Sequence, residues 1–349
     1  MRIVDSSYRD DGRPARLIEI EGPEDFDAIF ERILADNYYG GDYHARISGQ
    51  HEGRLIGHFW VVAEMLRFLG PRRVVDVGCG RGDILRVLTE VWGIDVLGIE
   101  LSEDAVDATW PILHGRIRTG DLVPVLEELT AENPDGLADV LCGFDIWEHI
   151  HPGQLDAAIS AFAGAGTDDA VYVVIIPAYG ADRVFGEQHA FPYEINRPEF
   201  EAHQPWRFLY ADPTAPHIPY AGHVTWADTV WWESTFRKHG LVRHEALERT
   251  LHAVDPLLPF SVRSFYVLTR GTPAGVARAD RLARTRFGYA RQTVMAARVA
   301  VAPRRWRITF DRSERRLVMA WWLALDHPVS SAARRLVKLL RMEHRLEPV

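Results

Sequence analysis

The sequence predicts an α/β protein built on a largely parallel sheet, and three observations predict it. Between residues 56 and 176, apolar runs of strand length alternate with segments of helical period. The first of these runs, Val74-Val75-Asp76-Val77, enters a glycine-rich turn, Gly78-Cys79-Gly80-Arg81-Gly82, that opens a helix. The chain is also 47% apolar, enough to bury both faces of such a sheet and incompatible with a disordered chain. At 349 residues it holds one large domain or two modest ones.

Residues 1–55 read as a polar, irregular N-terminal cap segment with an aromatic-glycine cluster, Tyr38-Tyr39-Gly40-Gly41-Asp42-Tyr43-His44. Ile56, Phe59, Val62, Met65, Leu66 and Leu69 then recur at helical spacing and stop at Gly70-Pro71. Val74–Gly78 reads as a strand, Gly82–Trp92 as a helix, Val96–Ile99 as a strand and Glu103–Thr109 as a helix. Ile117–Thr119, Val140–Phe144 and Val171–Ile176 complete the strands of this region, with helix Gln154–Ala163 before the last. Further on, Thr229–His239 reads as a helix closed by Gly240, followed by strand-like Leu241–Ala246 and Ser261–Thr269, a pair suited to an antiparallel edge. Gly271-Thr272-Pro273-Ala274-Gly275 reads as a linker. The expected organisation is therefore a cap at 1–55, a catalytic domain at 56–270 and a basic, mostly helical extension at 271–349.

Composition removes several classes. Two cysteines, Cys79 and Cys142, make no disulfide framework and no zinc ladder. The stretch after Met1 has no apolar core of a secretory signal, and the longest uncharged apolar run, Leu317–Leu325, is half a membrane span. A cytoplasmic protein is expected. The net charge of −9 hides an asymmetry: residues 271–349 carry 17 basic and 6 acidic residues, a net +11, against −20 for residues 1–270.

The glycine turn restricts the ligand. A dinucleotide site wants G-x-G-x-x-G, but Asp83 stands where the third glycine would fall, and an acid in the first helical turn repels a pyrophosphate. Glu100, at the tip of the next strand, is placed to accept from both hydroxyls of a ribose. Asp121, in Gly120-Asp121-Leu122, can accept from an adenine amine while apolar neighbours flank the ring. A ribose and an adenine without phosphate point to S-adenosylmethionine.

With these residues in place, VVDVGCGRG at 74–82, GIEL at 98–101, GDL at 120–122 and ADVLCGFDIWEHI at 138–150, the chain resembles the class I S-adenosylmethionine-dependent methyltransferases over roughly residues 56–270. The resemblance implies a Rossmann-like seven-stranded sheet with helices on both faces and an antiparallel last strand. It implies that Asp76, Gly78, Cys79, Gly80 and Gly82 line the methionine part of the cofactor, Glu100 the ribose, and Leu101, Asp121 and Leu122 the adenine, with Phe144 ending the fourth strand beside them.

Asp145, Glu148 and His149 follow that strand, where an open α/β sheet faces its ligand. Two accounts of methyl transfer compete there. His149 is a general base oriented by a carboxylate, or Asp145, Glu148 and His149 bind Mg²⁺ or Mn²⁺ from one side of a helical turn. The second resembles the acid-x-x-Glu-His motif of small-RNA terminal 2′-O-methyltransferases and some ubiquinone-pathway O-methyltransferases, in which a later histidine, here His223, completes the RNA enzymes' site. The departure is Asp145 in place of Glu, one methylene shorter. A purely structural Glu-His pair is the third reading. His44, His189, His203 and His217 read as structural or solvent-facing, and the aromatics Tyr38, Tyr39, Trp206, Tyr210, Tyr220, Trp226, Trp231 and Trp232 as core or as acceptor platforms.

The long 178–225 insertion at the ligand end suits a bulky small-molecule or glycan acceptor. O-methylation of a sugar, glycolipid precursor or natural product is the leading expectation. RNA terminal 2′-O-methylation and a non-catalytic cofactor-binding regulatory module are the alternatives, and an acidic body disfavours nucleic acid. In the tail, Arg334, Lys338, Arg341 and Arg345 form a stripe on a helix drawn over 332–345, with Leu336, Val337, Leu339 and Leu340 opposite. Packing on the acidic body or on a dimer mate is favoured over peripheral docking on a membrane, for which Trp321 and Trp322 would be interfacial anchors.

Overall fold

The computed structural model describes residues 1–10, 13–40, 57–178, 180–184, 186–188, 207–213, 215–252, 264–285, 306–311 and 316–321. In chain order these form strands β1 (Arg2–Asp10) and β2 (Arg13–Glu19), helices α1 (Glu24–Ala35) and α2 (Gly57–Phe68), β3 (Arg73–Val77) and α3 (Asp83–Trp92). There follow β4 (Asp95–Glu100), α4 (Glu103–Asp107), β5 (Ile117–Thr119), α5 (Leu122–Glu132), β6 (Ala138–Phe144), α6 (Leu155–Gly164) and β7 (Gly166–Ile176). The remainder comprises β8 (Gly180–Asp182), β9 (Gly186–Gln188), β10 (Phe208–Tyr210), α7 (Thr229–Lys238), β11 (Leu241–Arg243), α8 (Glu245–His252), β12 (Ser264–Arg270), α9 (Pro273–Ala283) and a hairpin of β13 (Trp306–Asp311) with β14 (Arg316–Trp321).

Seven strands form the central sheet in the order β11-β12-β7-β6-β3-β4-β5. Strands β3 to β7 run parallel, and β12 lies antiparallel to β7 and β11. The strands are almost continuously apolar because helices cover both faces. Along β7, Val171, Val173 and Ile175 enter one core while Tyr172, Val174 and Ile176 enter the other, the period-two alternation of a strand. The first core is closed by α2, α3, α8 and α9, the second by α5, α6 and α7. The chain starts at β3, moves outward through β4 and β5, then returns to place β6 on the other side of β3. That reversal opens a crevice at the carboxyl ends of β3, β4 and β6.

Three stretches differ from the sequence reading. The N-terminal segment is not irregular: β1, β2 and β10 form a three-stranded antiparallel sheet, and α1 packs on it. Ile18, Phe26, Ile29 and Ile33 bury there against Leu209, Val224 and Trp226, so the N-terminus and the 178–225 insertion build one cap with its own core. The strand read as Leu241–Ala246 stops at Arg243, and Glu245 starts α8. The guanidinium of Arg243 is buried between Glu248 and Asp182, which turns the chain into that helix.

The segment read as a linker opens a helix. The Thr272 hydroxyl accepts from Gly275 N, and Pro273 occupies the first helical turn, which together begin α9. Arg278 then donates to the carbonyls of Leu69, Asp139 and Asp169 and to the Asp139 carboxylate at 3.0 Å, welding α9 to the sheet. Within the extension expected to be mostly helical, the other described residues are the β13–β14 hairpin. The helix drawn over 332–345, Trp322 and the Trp321 side chain lie outside the described residues, as do Trp206, His44, His189 and His203. Among the described residues, no helix is long and apolar enough to cross a membrane.

Candidate active site

The glycine turn is built by backbone geometry. Gly78, Gly80 and Gly82 have φ of +67°, +56° and +78°, left-handed values that side chains rarely adopt. A Cβ on Gly78 would lie 2.5 Å from Ile146 Cδ1, so the chain after β6 rests directly on the turn. The Glu100 carboxylate, at the end of β4, accepts from Gly80 N at 2.8 Å and from Ser102 N at 2.9 Å. Each oxygen thus holds one backbone donor, and a carboxylate has further lone pairs for two hydroxyls.

Beneath the turn, Asp76 is buried, accepts from the Cys142 thiol at 3.4 Å, and is pushed up to about 7, chiefly by burial and further by the nearby Glu100 charge. Asp83 heads α3 and accepts from the Trp110 indole at 2.7 Å; burial raises its carboxyl against the opposing effect of Arg81, Trp110 and Arg86. Arg81 and Arg86 both lie over the Trp110 ring, at 4.5 and 3.7 Å. Asp121 is exposed and caps α5, its carboxylate accepting from Val123 N at 3.0 Å. Leu101 is exposed beside Glu100, Leu122 is half-buried behind Asp121, Cys79 lies within the turn and Phe144 closes β6. The residues expected to hold a nucleoside therefore sit at adjacent strand ends.

The second half of the crevice follows β6. Asp145 takes φ +53°, which ends the strand, and a single 3₁₀ turn, Trp147–His149, comes next. Trp147 points into the core against Phe162 and donates to Gly143 O. The Glu148 carbonyl accepts from Val224 N at 2.8 Å and Thr225 N at 3.0 Å, which lays the 222–225 segment alongside the turn. His223 Nε2 is thereby 3.8 Å and His149 Nε2 3.9 Å from Glu148 Oε1. One donor atom from each of Glu148, His149 and His223 lies within 4.8 Å of the other two.

Asp145, the fourth residue of the expected set, is not among the three of this group. Its backbone is left-handed and the 3₁₀ turn that carries Glu148 and His149 begins after it, so the three do not share one helical turn.

Tyr39, read from the sequence as core or acceptor platform, makes a contact with His149 that sequence reasoning missed. Its hydroxyl lies 3.0 Å from His149 Nδ1 and 3.0 Å from Gly222 O, and the two rings meet edge to face. The aromatic-glycine cluster was visible in the sequence, but no spacing rule links positions 110 residues apart. His151, by contrast, leaves the site: it packs on Phe26 and Phe30 of the cap and lies 3.2 Å from Asp27. Trp226, Trp232, Phe236 and Tyr210 are buried core residues, and His217 is exposed.

A doubly wound sheet with a glycine turn, a strand-end carboxylate and a Glu-His-His cluster at its switch point defines a nucleoside-dependent transferase of the class I methyltransferase type. The profile of a family described as a methyltransferase domain matches residues 60–254. The chain belongs to this methyltransferase family. No curated protein matches it.

Among solved structures it is similar to an O-methyltransferase family protein from Burkholderia thailandensis, at 18% identity and a TM-score of 0.43, over 66% of this chain and 58% of that one. It is similar also to the 1,6-didemethyltoxoflavin-N1-methyltransferase of the same organism, at 14% identity and a TM-score of 0.44, over 76% and 97% of the two chains. An O-methyltransferase from neocarzinostatin biosynthesis, solved with S-adenosyl-L-homocysteine and 1,4-dihydroxy-2-naphthoic acid, matches at 16% identity and a TM-score of 0.43, over 69% and 60%. The chain thus spans less than two thirds of the length of both O-methyltransferases.

Proposed function

We propose that the protein is an S-adenosylmethionine-dependent O-methyltransferase that deprotonates a hydroxyl of a sugar, glycolipid precursor or natural-product small molecule at the Glu148–His149–His223 cluster. The observation that carries this reading is the convergence of those three donor groups in the crevice whose other wall is the glycine turn.

The residues present fit the cofactor. The carboxylates of Asp76, Asp83 and Glu100 ring the turn and suit a ligand with ammonium and sulfonium charges rather than a polyphosphate. Bound there, S-adenosylmethionine supplies an electrophilic methyl group on a sulfonium that departs as a neutral thioether. The work left to the chain is to hold the acceptor oxygen in line and take its proton. His149 Nε2, backed by the Glu148 carboxylate, is the group placed to receive it. One carboxylate and two imidazoles would also hold a divalent cation, which lowers the pKa of a coordinated hydroxyl.

His149→Ala is expected to lower kcat about 10²–10⁴-fold, the range for loss of a general acid-base group, with cofactor affinity unchanged. Unchanged turnover in that variant overturns the assignment. Dialysis against chelator followed by Mg²⁺ or Mn²⁺ decides the metal: turnover lost and restored supports it, and turnover unaffected leaves His149 acting alone.

A further inference from the structure

We propose that Ser102 is the positioning residue that couples the two halves of the crevice, tying the strand end that carries Glu100 to the cap turn that reaches the acceptor side. The inference rests on the reading of Glu100 as the carboxylate that holds the cofactor's ribose. It does not depend on how the Glu148–His149–His223 cluster works.

The cap turn is a preformed block. Asn37 takes φ +45° and ends α1. Tyr38 N then donates back to Ile33 O at 3.0 Å and Asn37 N to Leu34 O at 3.1 Å, the paired closure of a left-handed helix stop. Gly40 N donates to Asn37 O at 2.8 Å, and a Cβ on Gly40 would fall 2.3 Å from Asn37 Nδ2, so the chain folds tightly on itself. Tyr39 therefore leaves the end of α1 in a set direction.

Its main chain and its side chain go to different halves of the crevice. On the cofactor side the Tyr39 carbonyl accepts from Ser102 Oγ at 3.2 Å, and on the acceptor side its hydroxyl lies 3.0 Å from Gly222 O. The Ser102 hydroxyl also accepts from Ala105 N at 3.3 Å, capping α4. The Ser102 amide donates to Glu100 Oε1 at 2.9 Å, while Gly80 N holds Oε2 at 2.8 Å. One serine thus meets the cofactor carboxylate through its backbone and the cap through its side chain. Asn37 Nδ2, 3.5 Å from Asp104 Oδ2 of α4, adds a longer contact along the same seam.

Coupling follows from this connection. Ribose hydroxyls bound to Glu100 hold the carboxylate in place, and with it the Ser102 amide and the start of α4. The cap turn then docks on a partner already ordered, so less freedom is lost on docking. The effect is reciprocal: a docked cap raises the affinity for the cofactor by the same factor.

The test is hydrogen–deuterium exchange of the full-length protein with and without saturating S-adenosylhomocysteine, read on peptides covering 78–82 and 36–40. In the wild type the ligand is expected to slow exchange in both, by about fivefold or more at 36–40, the low end of couplings between sites. Protection at 78–82 with none at 36–40 overturns the proposal. In Ser102→Ala the protection at 36–40 is expected to vanish while that at 78–82 stays, and Kd for S-adenosylhomocysteine should rise about fivefold. Ser102→Thr, which keeps the hydroxyl, should restore both. Ser102→Gly separates coupling from helix capping, because glycine retains most of an N-cap's stability without the hydroxyl. It is expected to match Ser102→Ala, and wild-type behaviour in Ser102→Gly or Ser102→Ala overturns the role of Ser102. Failure of the underlying reading looks different: without protection at 78–82 the cofactor does not bind at this turn, and the proposal falls with it.

Discussion

At the scale of single residues, carboxylates in unequal surroundings set the chemistry of the crevice. Glu100 is satisfied by two backbone donors, whereas Asp76 is desolvated and held near 7. Because its folded value lies above the ordinary carboxylate value of about 3.9, ionising Asp76 costs stability as pH rises from about 4 to 7. A cationic ligand reverses that preference by favouring the charged form. S-adenosylmethionine affinity is therefore expected to rise as pH is raised through 7 and to level off above it. Titration calorimetry at several pH values checks this, and Asp76→Asn should bind about tenfold more weakly with the slope removed, one unit of pKa coupling being a tenfold effect. An unaltered slope in that variant would assign the effect elsewhere.

Much of this residue-level site was legible because strand ends are predictable positions: an acid after an apolar run of the right period falls at the crevice whatever the rest of the chain does. Glu148 and His149 were legible for the same reason. Asp145 precedes the turn that carries them because a left-handed residue changes direction where periodicity assumes none, and the contact of Tyr39 with His149 was illegible because it is set by cap packing rather than by sequence distance.

At the scale of elements, apolar periodicity found β3 to β6 and helices α2, α3, α4, α6 and α7 within two residues, since each is buried on a definite face, but it missed the first five residues of β7 and the whole of α5. It failed where punctuation residues carry two meanings. Gly271-Thr272-Pro273-Ala274-Gly275 has a linker's composition, yet Thr before Pro is also a helix start, and the tertiary contact of Arg278 decides between them. Arg278 and Asp139 are both buried, and removing Arg278 strips the Asp139 carboxylate and three backbone carbonyls of a charged donor, leaving Arg72 at 3.5 Å as the other cation on Asp139. Arg278→Ala is expected to destabilise the protein by about 1.5–3 kcal/mol, the range for losing hydrogen bonds to a charged group. Urea unfolding checks this, and a loss under about 1 kcal/mol, typical of an exposed pair, would show that α9 is not welded to the sheet.

At the scale of the whole molecule, the charge asymmetry that stood out in the sequence has one structural consequence in the described residues: a basic side chain from beyond residue 270 is seated on an acidic one of the body. The cap shows a second long-range design. Its core joins residues 18–39 to residues 208–226, and its last turn delivers Tyr39 to a histidine that the central sheet positions. A reading by local pattern divides the chain at residues 55 and 270, whereas packing unites the N-terminus with the insertion and α9 with the sheet. The central claim is that this crevice binds S-adenosylmethionine through the strand-end carboxylate and presents its methyl group to the His149 cluster. Isothermal titration of the wild-type protein and Glu100→Ala with S-adenosylmethionine tests it most directly. The account predicts micromolar binding by the wild type, and a loss of about tenfold or more in the variant, as expected for removing charge-assisted hydrogen bonds; no binding by the wild type at millimolar ligand would contradict it.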